Sequence, residues 1–176
     1  MLNALLTIPW FIMTFLLSER TGLWSRVTDA SMLLVSTGIC IFTLLTFRAL
    51  LNWRYAFHAT DRFIEWQIKV NVVATAVSIL GMVVPSIAES AGMVGIVLVI
   101  LLGVIQLVFG LRLQQLSADL NGLRRPYSYL NIITGFCLAT IVLVPLGMLT
   151  SAISDIMLGT IFFQASTTTP TVDTEA

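Results

Sequence analysis

An all-α integral membrane protein, with four to five transmembrane helices gathered as a bundle, is the fold class that this 176-residue sequence predicts. Three observations predict it. Apolar residues make up 57% of the chain and charged residues 10%, whereas a soluble domain carries about 25% charged residues to solvate its surface. The apolar residues come in runs close to the roughly 20 residues that a helix needs to cross about 30 Å of hydrocarbon, and mean hydropathy is +0.97. Lys and Arg fall in alternate connections, as alternating crossings require.

The first run, residues 2–18, is short and contains Pro9. It has no basic residue before it and no small-residue cleavage site after Leu17-Ser18, so it reads as a span rather than a cleaved signal peptide, with an interfacial or re-entrant segment as the alternative. Residues 31–52, 70–87, 92–111 and 128–149 are each predicted to span. Arg54, Arg62 and Lys69 occupy the connection 53–69, with Arg48 just before it, and Arg112, Arg124 and Arg125 occupy 112–127. The turn 88–91 carries only Glu89, and everything after residue 150 only Asp155, Asp173 and Glu175. The basic connections are therefore expected in the cytoplasm and the C-terminus outside a plasma (inner) membrane. Trp53, Tyr55, Trp66, Tyr127 and Tyr129 cluster at the same inner interface. Residues 153–163 are too short to cross again after a span ending at 149, so a short outer-face helix is expected there, with Ser154 or Asp155 as its cap. The whole of 1–165 is one helical membrane domain, followed by a polar, disordered tail over 166–176.

Two stretches share punctuation. "NVVATAVSILGMVVP" (71–85) and "NIITGFCLATIVLVP" (131–145) each open on asparagine and close on Val-Pro. They suggest two tandem helical hairpins with cytoplasmic overhangs; the plainer reading is that asparagine starts helices and proline ends them. The overhangs themselves are patterned as amphipathic helices. Ala56, Ala59, Phe63, Trp66 and Val70 share one face in the first, and Leu113, Leu116, Leu120 and Leu123 form a stripe in the second. These stripes either cap the bundle or dock a second protein, and basic neighbours also suit the inner leaflet.

Small residues recur at four-residue spacing, as in Ala91 with Gly95 and Gly135 with Ala139, and Gly95, Gly103 and Gly110 recur at eight and seven. Such positions let helix backbones approach closely in lipid, first of all within the chain. Amides inside the apolar runs are Asn71, Gln106 and Asn131, with no charged residue expected at mid-depth, which counts against an ion-coupled carrier. Arg48 reads as a snorkelling anchor, with an anion ligand or a buried partner of Asp61 or Glu65 as the alternatives.

Chemistry is sparse. A single histidine, His58, and two cysteines inside apolar runs, Cys40 and Cys137, make no metal or redox set, and no catalytic combination or phosphate loop is present. Zero formal net charge offers no field for nucleic acid. The expected function is thus a non-catalytic subunit or scaffold of a larger membrane complex, without cofactor or metal. Its partners would be the lipid bilayer and other membrane subunits or itself. A small channel or transporter acting as a homo-oligomer is the alternative. The interaction candidates are Arg48, Asn71, Gln106, Arg112, Leu113, Leu116, Leu120, Leu123 and Asn131.

Overall fold

Long apolar runs with few glycine or proline interruptions become long helices. The computed structural model describes residues 23–117, 120–140 and 142–167; the expected span over 2–18 and the tail from 168 lie outside them. Five α-helices follow in order: α1 (Leu23–Tyr55), α2 (Asp61–Val83), α3 (Ala88–Leu113), α4 (Arg124–Ala139) and α5 (Val144–Thr167). Short 3₁₀ turns stand at Pro85–Ile87 and Leu120–Gly122. Four stretches are long and apolar enough to cross a membrane: Arg26–Tyr55, Asp61–Val83, Pro85–Leu113 and Val144–Thr167. The fifth helix, α4, has 16 residues and is about 24 Å long, short of the roughly 30 Å required.

Sequential helices pack as antiparallel neighbours, most extensively α3 with α4, and also α1 with α2, α2 with α3 and α4 with α5. Large apolar side chains point away from the bundle, Phe42, Val97, Leu149 and Phe163 among them, while Thr75, Ser128, Asn131, Thr134 and Ser154 are buried. An apolar exterior around buried polar groups is the arrangement suited to lipid, and it suggests a membrane protein.

Two helix boundaries correct the expectations from sequence. The anticipated span over 128–149 is two helices, because α4 ends at Ala139 and α5 opens at Val144. Proline lacks an N–H and is favoured in the first turn of a helix, so Pro145 starts α5 rather than stopping the helix before it. The short outer helix over 153–163 is accordingly the middle of a 24-residue helix that continues through Thr167. The C-terminal end of α5 lies at the same end of the bundle as the basic connections. Arg54 Nη1 donates to Ala165 O at 2.6 Å, so the end of α5 stands beside the basic connections, not opposite them. Pro85 has the matching position between α2 and α3.

The connections differ too. The α1 helix runs through Tyr55 and stops at Ala56, whose φ of 47° is left-handed; Phe57 N–H returns to Leu51 O at 3.1 Å. The α2 helix then begins at Asp61, so no separate helix protrudes over 53–69. Residues 114–117 and 120–123 are turns rather than an α-helix, with Leu120 at φ 45° and Gly122 at φ 85°. Their leucines nevertheless turn inward. Leu113, Leu116 and Leu120 are buried and Leu123 packs on them, so the stripe caps the bundle.

Beneath that cap lies an aromatic centre. Phe47 is fully buried and meets Tyr127 at 5.5 Å and Phe109 and Phe162 at 6.2 Å, all edge-on. The glycine positions anticipated for close approach are used within the chain. A Cβ on Gly103 would lie 2.6 Å from Ala139 N, and one on Gly135 would lie 2.5 Å from Leu107 N. Ser128 Oγ donates to Gly110 O at 2.6 Å across the same α3–α4 seam. Gly95 has open space around it and takes no part.

Candidate functional site

The polar residues of the five helices converge on a cavity of about 220 Å³ midway along the bundle. From α1 come Cys40 and Thr43, and from α2 come Gln67 and Asn71. Gln106 enters from α3, and Tyr127 and Asn131 from α4. The last helix, α5, supplies Ser151, Ser154 and Asp155. At roughly 30 Å³ for each water, the space holds about seven waters or a small polar group of similar bulk.

Asn131 organises the wall. Its Oδ1 accepts from Gln106 Nε2 at 3.3 Å, and its Nδ2 donates to Tyr127 O at 2.8 Å and Ser154 Oγ at 3.2 Å. Asn71 Nδ2 donates to Gln67 O, one turn earlier, at 2.9 Å. Gln67 Oε1 is buried without a hydrogen-bond partner among the described residues. Thr134 Oγ1 donates to Thr150 Oγ1 at 2.8 Å and ties α4 to α5 beyond the cavity.

Asp155 stands near the midpoint of α5, eleven residues from Val144 and twelve from Thr167, or about 17 Å from either end. Asp155, expected to cap a short surface helix, thus stands in the middle of a long one. That expectation followed from ending a span at 149, which left Asp155 in a surface segment. Asp155 also lines a second, larger groove of about 770 Å³ between α1 and α5.

The three amides singled out from sequence, Asn71, Gln106 and Asn131, are thus brought together. The other candidates are elsewhere. Arg48 pairs with Asp61, Nε to Oδ1 at 3.0 Å, where Asn52 Nδ2 also donates at 3.0 and 3.1 Å and His58 Nδ1 stands at 3.3 Å. Arg112 is exposed and donates to Gln115 at 3.4 Å. Leu113, Leu116, Leu120 and Leu123 belong to the packed cap. Cys40 and Cys137 are free thiols. Among the described residues, no group of three or more His, Cys, Asp or Glu side chains could hold a metal ion.

Sequence reasoning missed Asp155, Ser154, Ser151, Tyr127 and Gln67 as cavity residues. A signal for α5 existed: Ser151, Ser154, Asp155 and Leu158 fall at helical spacing on one face, and they stand out once 144–167 is read as one helix. No family model, no curated protein and no solved structure matches this chain.

Proposed function

We propose that this chain is a non-catalytic integral membrane protein that acts as a small carrier, taking its substrate in the cavity at Asp155. The observation that carries this reading is a carboxylate near the midpoint of a helix long enough to span, facing a polar cavity built from all five helices. An ionisable group at membrane depth is costly to keep and characteristically marks a solute or proton pathway. Four facing amides surround it with donors and acceptors able to replace water around a polar solute. The packed aromatic centre at Phe47 closes the bundle at the basic end, which favours a carrier with a gated site over an open channel. The subunit or scaffold reading loses support, because the leucines that would have formed its docking surface are buried.

Seven of the nine Lys and Arg residues lie within 48–69 and 112–125, so we assign that end to the cytoplasm. The end of α5 then faces the cytoplasm as well.

Reconstituted vesicles test the reading. Wild-type protein should carry current or proton flux when a gradient of small polar or cationic solutes is imposed, and Asp155→Asn should abolish it. Wild-type vesicles no more permeable than empty ones across a broad solute panel, from protein that co-purifies stoichiometrically with other subunits, would restore the scaffold reading.

A further inference from the structure

We infer that the substrate is a small uncharged amide, of the class of acetamide or urea, recognised in the polar cavity by Gln67, Asn71 and Gln106. The inference rests on the carrier reading for its word substrate, but its binding claim stands on the hydrogen bonds of the cavity wall.

A carboxamide offers one carbonyl acceptor and two N–H donors. Asn131 spends all of these within the wall, on Gln106, Tyr127 and Ser154, so it serves as a fixed support. The other three amides of the cavity are not spent. Gln106 gives one N–H to Asn131, and Asn71 gives one to Gln67 O. Among the described residues, the side-chain carbonyls of Gln106 and Asn71 accept no hydrogen bond. Gln67 Oε1 is buried and likewise without a partner. A buried acceptor without a donor is costly, and an N–H from a bound molecule relieves it. Gln67 and Asn71 stand one turn apart on the same face of α2, and Gln106 lines the same cavity from α3, so one molecule can meet all three.

The shape of the group selects the ligand. Each amide presents C=O and N–H side by side in one plane, and a second amide answers with its own N–H and C=O in two parallel hydrogen bonds. A ketone offers no donor, and a hydroxyl offers both functions from a single atom. Space for about seven waters limits the ligand to roughly four to seven non-hydrogen atoms. Leu102 and Leu138 line the same cavity and suit a short apolar tail. Charge is disfavoured. Asp155 is the sole charged side chain among the described cavity residues, and it has a partner of its own within the chain. Recognition therefore falls to neutral groups, and a charged solute would give up its water without meeting an unspent opposite charge.

Acetamide, acetone and acetamidinium are alike in size and planar shape, and each carries a methyl group. Acetone lacks the N–H donors and acetamidinium is positively charged, so the three isolate this choice. Saturation-transfer NMR reads each methyl with the full chain in uncharged detergent micelles, and empty micelles are subtracted. A ligand of four non-hydrogen atoms reaches a Kd of about 40 μM at best, so the titrations run to millimolar concentrations. Saturable acetamide binding is expected, at least tenfold tighter than acetone or acetamidinium. Gln67→Met, which keeps the length and removes the amide, should weaken acetamide at least tenfold. Asn71→Leu should do the same, and it serves if Gln67→Met does not fold. No saturable acetamide binding, affinity no tighter than for either analogue, or affinity insensitive to these variants overturns the inference. Acetamide binding without acetamide flux in vesicles would leave this site standing and remove the carrier reading. Asp155-dependent flux of another solute without acetamide binding would do the reverse.

Discussion

Replacing Gly135 with alanine tests the α3–α4 seam on which the cavity depends. The added Cβ would stand 2.5 Å from Leu107 N, 2.6 Å from Gly103 O and 2.9 Å from Leu107 Cα. Ordinary contact begins at 3.4 Å, so the helices must part by about 0.9 Å. All three opposing atoms are backbone, and no side chain can swing aside. A gap of 0.5–1 Å forfeits roughly a quarter to a half of each dispersion contact along an interface, and overpacking costs about 1–3 kcal/mol. With the most extensive helix pair affected, the upper end applies: about 3 kcal/mol, or roughly a 150-fold fall in the folded-to-unfolded ratio. Gly95→Ala is the matched control. Its Cβ meets nothing within 4 Å, and removing glycine from a helix interior gains up to about 1 kcal/mol. Unfolding midpoints in mixed detergent micelles, followed by helical circular dichroism, should therefore move in opposite directions. If both variants shift alike, or Gly135→Ala unfolds at the wild-type midpoint, the close approach at residue 135 is refuted.

Phe47→Ala should cost about 3–5 kcal/mol in the same titration, because a fully buried ring with three edge-on neighbours leaves a void on removal. Asp61→Asn should cost about 1–2 kcal/mol, since Arg48 loses its charged partner in a half-exposed pair; the loss should shrink when Arg48 is already alanine. Ala56→Gly should raise stability by about 1 kcal/mol, because only glycine takes φ 47° without a Cβ penalty, and an unchanged midpoint would argue against the left-handed cap.

Helical character was readable from the apolar runs, since hydropathy over some 20 residues overrides local propensity. The three amides were readable for a related reason: a polar side chain inside an apolar run must face protein rather than lipid, and Asn71, Gln106 and Asn131 do. The break between α4 and α5 was hidden because Val142 and Leu143 in the connection are as apolar as the helices beside them. In a membrane protein a turn need not be polar, so hydropathy runs straight through it. Proline was the sole local cue, and it serves both a helix end and a helix beginning. That one ambiguity concealed the Asp155 site, because moving residue 155 from a surface segment to mid-helix changes its solvent from water to protein. The capping leucines were legible as a face but not as turns, for burial does not need helical geometry when 3₁₀ and irregular backbone deliver the same side chains inward.

The shortness of α4 bears on how the protein is made. Too short to cross and with Tyr127, Ser128, Asn131 and Thr134 buried along it, this helix has little affinity for lipid of its own. The glycine-lined surface of α3 leaves the ribosome first and offers Gly103 and Gly110 as a seat, and the apolar α5 follows to close the other side. Synthesis order then matches the order in which burial becomes favourable, and on the membrane reading proposed above α4 is carried in as passenger between two neighbours. A ribosome halted before α5 emerges would leave the nascent α4 held on one side only, the point in biogenesis at which quality-control proteases would find this chain most vulnerable.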